Sequence, residues 1–336
     1  MVSASLSQMQ DLELHQLREP LTDADTCTNC IFEEPWWLDA VAPGRWFDAT
    51  VRRDGRIIAR LPYLLSKGRR SGFVYSTQPP LTQTLGPCLR TSANKESTRL
   101  AEEKELLAAL IHQLPSCDLF SQTCSPNVMN GLPFYWNHFS LEAYYTYRLE
   151  ASVDTERLWE GLTKECRNTV RKARKTVVVR DGLDVARFYE IVAKTWERQR
   201  LVPPFAKETL LRLDECCAGR KVRSILHAED AQGNIHAAAY LVWDRRTAYY
   251  LLGGSDPGLR ASGANSLLLW EAIRFASTVS EVFDFEGSMN ERIEPVFRSF
   301  GARQQVLLHI SRMSRRMRAV SAVRTLFEVA TGKGMA

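Results

Sequence analysis

The sequence predicts an α/β protein built on mixed sheets and divided into two domains of like plan. Three observations point there. The chain has 336 residues, 45% hydrophobic and 25% charged, which is ordinary globular usage in a length beyond one typical domain. Each half opens with antiparallel-strand signals and closes with strand-helix-strand patterns. Equivalent features recur at an offset of roughly 160 to 180 residues, which suits a duplicated domain and is too long for a solenoid period.

Residues 1–30 are polar and aperiodic and read as a flexible leader. A first domain is expected over 31–150. Asp54-Gly55 between the β-rich runs of 48–65 is a strong hairpin signal. A third strand follows at 73–78, a helix by apolar spacing at 100–114, a strand at 118–123, a short helix or turn at 133–139, and a closing strand at 143–149. A second domain is expected over 151–312. It begins with one long basic helix at 156–175, then a strand at 177–180 and helices at 185–199 and 208–217. A hairpin follows from 222–229 and 235–243 around Gln232-Gly233-Asn234, and then a strand at 248–253, a helix at 264–277 and a strand at 281–286. A short helix at 293–300 is stopped by Gly301, and 304–310 is the last strand. Residues 313–336 form a basic amphipathic tail, with Met313, Met317, Val320, Val323 and Phe327 at helical spacing beside arginines.

Net charge is +5, favouring anionic partners without demanding nucleic acid, and no DNA partner is expected. The cations cluster at Lys164, Arg167, Arg171, Lys172, Arg174, Lys175 and Arg180, and again at Arg312, Arg315, Arg316, Arg318 and Arg324. The first cluster reads as a solvated helix face or as a seat for an anionic carrier headgroup or tRNA phosphates. The second suits either packing on its own domain or peripheral contact with an anionic membrane surface. No run approaches eighteen apolar residues and no basic-then-apolar leader opens the chain, so a cytoplasmic protein is expected. The eight cysteines show no repeated spacing. Cys27-Thr-Asn-Cys30 stands without a second pair or a nearby histidine, so no metal is expected.

The most informative segment is 248–276: a strand, a glycine-rich turn and an apolar-periodic helix. A helix N-terminus leaves backbone N–H groups unpaired and carries partial positive charge, so small residues there let a phosphate approach. Arg260, Ser262, Gly263 and Asn265 are the residues that would hold one; the competing reading is an ordinary capped turn. The segment Arg260-Ala-Ser-Gly263-Ala-Asn265 resembles the Gln/Arg-x-x-Gly-x-Gly/Ala turn with which GNAT acyltransferases grip the coenzyme A pyrophosphate. Asn265 departs from the pattern at its last small residue.

With two such domains in sequence, Phe283-Asp-Phe-Glu-Gly-Ser288 and Phe297-Arg298-Ser-Phe300-Gly301 resemble the FemAB branch of that superfamily and its acetyltransferase-like relatives, over about residues 30 to 312. The family motif is Phe-Lys-x-x-Phe-Gly, so Arg298 stands where the lysine near the reacting ester would be. The resemblance implies tandem GNAT-like domains with acyl-CoA (acetyl-CoA) as co-substrate and no metal. It implies as acceptor an amine of a cell-surface polysaccharide or of a small-molecule or lipid-linked sugar precursor. It leaves two alternatives open: aminoacyl-tRNA as donor in a cell-wall peptidyltransferase, and a catalytically silent binding protein.

Acyl transfer to an amine needs alignment, a proton sink and donors toward the developing oxyanion, and it needs no covalent nucleophile. Asp284 and Glu286, two apart on a predicted strand, should share a face and supply the sink, with Phe283 and Phe285 on the other face. The competing reading is a helix cap or an arginine partner. Arg298 could hold the oxyanion. Tyr250 could protonate the leaving thiolate, although tyrosines on strands are usually packing. His236 reads as a satisfied sheet histidine.

Overall fold

The computed structural model describes residues 27–68, 71–91, 95–287 and 289–330, and the expected leader lies almost wholly outside them. In chain order the main elements are α1 (Pro35–Val41), β1 (Trp46–Arg53), β2 (Arg56–Leu64), β3 (Ser66–Lys67), β4 (Val74–Thr77), β5 (Cys88–Leu89), α2 (Glu96–Gln113), β6 (Leu119–Thr123), α3 (Leu132–Trp136) and β7 (Ser140–Glu150). Then come α4 (Thr155–Gly161), α5 (Lys164–Ala173), β8 (Val178–Arg180), α6 (Val185–Gln199), α7 (Lys207–Arg220), β9 (Arg223–Glu229), β10 (Ile235–Trp243) and β11 (Thr247–Ser255). The chain ends with α8 (Ala264–Ala276), β12 (Val282–Asp284), α9 (Glu294–Arg298), β13 (Arg303–Met313) and α10 (Arg315–Ala330). It divides into two compact units, Met1–Ala143 with Leu308–Ala336, and Tyr144–Leu307.

In the first unit, β1 and β2 form the hairpin announced by Asp54-Gly55, both with positive φ (52° and 78°), as its tight turn requires. β5 extends it to three strands. β4 pairs antiparallel with β3 and parallel with β6, and β6 pairs antiparallel with His309–Met313 of β13. Leu106, Leu107, Leu110 and Ile111 of α2 are buried against Leu61, Phe120 and Ile310. These leucine-rich positions recur at helical spacing, which is why the helix was legible. Arg60 is fully buried yet paired, with Nε donating to Asp48 at 2.8 Å and Nη1 to the Glu33 carbonyl at 2.7 Å.

In the second unit the strand order is β7-β12-β11-β10-β9-β8. β11, β10 and β9 are antiparallel neighbours, β12 runs parallel to β11, and β7 runs antiparallel to β12. Alternation along β10 assigns its two faces. Ala237, Ala239 and Leu241 join the core under α8, while Tyr240 meets Phe188 of α6, so the two helices cover opposite sides.

Two expectations are corrected here. The single helix over 156–175 is two helices, because Gly161 ends α4 and the Thr163 hydroxyl caps α5 by accepting from the Cys166 N–H at 3.2 Å. The strand over 281–286 stops at Asp284, whose Oδ1 accepts the Glu286 N–H at 2.8 Å, and Glu286 takes a φ of +55°. The backbone turns there instead of alternating. In the tail, Met313 is the last residue of β13, and the helix begins at Arg315; the side chains of Val323 and Phe327 lie outside the described residues.

Candidate active site

β11 and β12 pair over only three residues, Thr247 with Val282, Ala248 with Phe283 and Tyr249 with Asp284. Beyond that point β12 stops, while β11 continues to Ser255, held on its other edge by β10. The result is a fork, with one edge of β11 unpaired past Tyr249 among the described residues. A bulge between Tyr240 and Leu241 in the β10 register, which skips Leu251, bends β11 there.

Asp284 sits at the crotch of the fork, 1% exposed. Its Oδ1 accepts the Thr146 hydroxyl at 2.5 Å and the Glu286 N–H, and its Oδ2 faces Arg148 Nε at 3.3 Å. Glu286 is half-buried, but its Oε1 is fully buried and has no hydrogen-bond partner among the described residues. Burial, reinforced by the neighbouring Asp284 charge, pushes the Glu286 carboxyl well above the usual carboxylate range.

Tyr250 stands edge-on to Phe297 of α9, ring centroids 6.4 Å apart, and burial pushes its phenol up to about 12. The phenol lies over Gly253, where any side chain would collide with its hydroxyl. Arg298 is 65% exposed and belongs to a second network. Its Nε donates to Glu294 Oε1 at 2.8 Å, which also accepts the Tyr147 hydroxyl at 2.7 Å, and Gln304 Nε2 donates to Tyr147 at 3.0 Å. Hydrogen bonds from Arg298 and Tyr147 hold the Glu294 carboxyl below its usual range. Asp284 and Glu286 are thus together, Tyr250 meets Phe297, and Arg298, the next residue along α9, is exposed and engaged by Glu294.

Arg260, Ser262, Gly263 and Asn265 lie where β11 leads into α8. Arg260 and Asn265 are exposed. Gly263 opens α8 with φ +73°, and a Cβ there would stand 2.8 Å from Thr169 Cγ2 of α5. That glycine therefore serves a close helix approach as well as the turn. The Ser262 hydroxyl is engaged within the protein, donating to the Leu259 carbonyl at 2.8 Å and lying 2.9 Å from His236 Nδ1. His236 in turn meets Asp230 through Nε2 at 3.2 Å. Among the described residues no three or more His, Cys, Asp or Glu side chains form a group that could hold a metal ion.

Sequence reasoning missed Thr146, Tyr147, Arg148, Glu294 and Gln304. Thr146 meets Asp284 across 138 positions of sequence, so no local pattern announces it. Alternation along β7 could have separated Thr146 and Arg148 from Tyr147, but not named their partners.

Residues 162–291, which contain the fork and the β11–α8 turn, match the family model described as an acetyltransferase (GNAT) domain. The fold is GNAT, of FemAB-like type. The crystal structure of FemX resembles it with a TM-score of 0.66 at 12% identity, covering 93% of this chain and 97% of that one. A tandem GNAT protein from the clavulanic acid biosynthesis pathway aligns with a TM-score of 0.51 at 11% identity, covering 91% and 94%. The C-terminal domain of a putative lysylphosphatidylglycerol synthetase from Agrobacterium fabrum aligns at 0.50 and 9% identity, covering 95% and 96%. No curated protein matches the sequence. The GNAT-type fold is an acyltransferase fold, and the chain carries two GNAT-like units as a mixed α/β protein. No described helix is long and apolar enough to cross a membrane.

Proposed function

We propose that the protein transfers an acyl group from acyl-CoA to an amine on a sugar of a cell-surface polysaccharide or lipid-linked precursor. The fork between β11 and β12 carries this reading. Its unpaired strand edge offers backbone N–H and C=O groups to the amides of an extended pantetheine arm, as an added strand would use them. The edge leads from the two carboxylates to the N-terminus of α8, where the exposed Arg260 and the backbone at Asn265 suit a phosphate. The name of the clavulanic-pathway neighbour refers to acetyl-CoA, and that of the Agrobacterium neighbour to a lipid product.

In the reaction the amine nitrogen bonds to the thioester carbonyl carbon while the carbon–sulfur bond breaks. Glu286, once ionised, takes the amine proton on Oε1, which has no partner among the described residues, since a carboxylate of raised basicity is the better acceptor. Asp284, already accepting Thr146 and the Glu286 N–H, holds Glu286 in its turn. Tyr250 stays protonated through the neutral range and gives its proton to the leaving sulfur. Arg298, fixed by Glu294, and nearby backbone N–H groups face the oxyanion.

Aminoacyl-tRNA is the second reading for the donor, favoured by the basic face of α5, where Arg171 and Arg174 stand over Trp159 at 5.5 and 5.6 Å. Calorimetric titration of the full chain with acetyl-CoA, coenzyme A and a charged tRNA separates the readings. The first predicts saturable coenzyme A binding that weakens about tenfold in Arg260→Ala. Absence of coenzyme A binding, with salt-dependent tRNA binding in its place, would establish the second. Donor binding without turnover of any amine would leave a binding protein.

A further inference from the structure

A groove of about 400 Å³ opens in the second unit, between the end of β7, α4 and the start of β13. It borders the fork through Arg148 and through Val282 of β12. Guanidinium groups from three different elements line it: Arg148 on β7, Arg157 on α4 and Arg303 on β13. One carboxylate, Glu150, stands among them, and it reaches Arg303 only at 3.9 Å. Arg303 is 89% exposed, and Arg157 is exposed with no ion pair among the described residues. Arg148 is turned inward, its Nη2 donating to Thr247 Oγ1 at 3.0 Å and its Nε facing Asp284.

Arg148 is already paired with Asp284 at 3.3 Å, but Arg157 and Arg303 at the mouth have only Glu150 near them, 3.9 Å from Arg303, so a dianion there would meet an excess of positive charge. The planar guanidinium fork is matched to the oxygens of a phosphate. Beneath the charges the floor is apolar, with Leu158 and Phe300 buried, so the groove suits an organic body attached to the anion. Its walls are held in place. A Cβ on Gly301 would stand 2.6 Å from the Gly161 carbonyl oxygen, so the turn after α9 lies in backbone contact with the end of α4, and the Thr163 N–H donates to the Ser299 carbonyl at 2.9 Å. Little ordering is then left for a ligand to impose.

We propose that this groove binds a phosphorylated small molecule or lipid headgroup, with Arg157 and Arg303 holding the phosphate at the mouth and Arg148 at the inner end. Because Arg148 also faces Asp284, occupancy draws on the same guanidinium that neutralises the carboxylate at the fork.

The test is titration of the full chain at fixed ionic strength with two probes, glycerol 3-phosphate in solution and vesicles containing phosphatidic acid. Three proteins are compared: the unmodified chain, Arg157→Ser with Arg303→Ser, and a charge-matched control, Arg198→Ser with Arg245→Ser, whose changes lie on other exposed positions. The groove variant should bind at least about tenfold more weakly, while the control and the affinity for coenzyme A stay unchanged. Weakening with glycerol 3-phosphate assigns a free phosphomonoester, and weakening confined to vesicles assigns a headgroup. Equal affinity of all three proteins for both probes, or equal weakening in the control, overturns the proposal. Failure of coenzyme A binding bears on the donor reading alone.

Discussion

Asp284 accepts two hydrogen bonds and faces a guanidinium, whereas two residues later Glu286 Oε1 is buried without a partner among the described residues, and the two carboxylates are divided by that difference. Because burial raises the Glu286 carboxyl, the folded chain binds this proton more tightly than the unfolded chain does. As pH climbs past the ordinary carboxylate value, the unfolded form ionises first, and stability falls until the folded form ionises too. Glu286→Gln is therefore expected to raise the urea midpoint above the ordinary carboxylate range, with a gain that grows with pH and vanishes in acid. The same substitution should lower kcat about a hundredfold with KM little changed, since only proton transfer is lost. A midpoint insensitive to the change at every pH would show that the carboxyl is not destabilised by its surroundings. The spacing of Asp284 and Glu286 was legible as a pair of acids. Their unequal environments were not, because these depend on the turn at Glu286 and on side chains from β7.

Local signals located most helices and strands, and failed where a neighbour in space decided the outcome. The break between α4 and α5 is the clearest case. Thr163 followed three residues on by Cys166 is a weak cap signal inside a basic, helix-favouring run. The contact that fixes the break, Gly301 against the Gly161 carbonyl, comes from a turn far along the chain. Gly301 also carries φ +79°, which a side chain resists. Gly301→Ala is expected to destabilise the protein by at least about 1 kcal/mol in chemical denaturation, both through the φ and through the collision with backbone that cannot swing aside. Thr163→Ala should cost about 1 kcal/mol by removing the cap alone. If Gly301→Ala were neutral, the close contact of the two turns would be wrong. The fork is an element-scale feature of the same kind: the sequence marks the strands on either side, but the length of their pairing is set by where Asp284 turns the chain.

At the scale of the molecule, the duplicated plan was legible because each half repeats hairpin, helices and strand-helix-strand in order. The assignment of the last strand was less so. β13 begins in the second unit, but its residues from Leu308 on count with the first, where His309–Met313 pair with β6 and Ile310 is fully buried beside Phe120. Ser314 continues the attachment, its hydroxyl donating to Asp118 at 2.8 Å, and Arg316 stands over the Phe73 ring at 4.4 Å. Periodicity identifies a strand at 304–310 but carries no information on which sheet it joins, since pairing over such separations leaves no local trace. A consequence follows for dissection of the chain. A fragment of residues 1–143 lacks the strand that satisfies the free edge of β6 and the isoleucine that fills its core, so it is expected to be protease-labile with a flat near-ultraviolet circular dichroism spectrum. Joining residues 308–336 to it through a flexible linker should restore a cooperative thermal transition. Ile310→Ala in that linked fragment should lower the stability by about 2–5 kcal/mol, the range for emptying a buried isoleucine site. If residues 1–143 alone unfolded as cooperatively as the linked fragment, the C-terminal strand would be an attachment rather than a part of that unit.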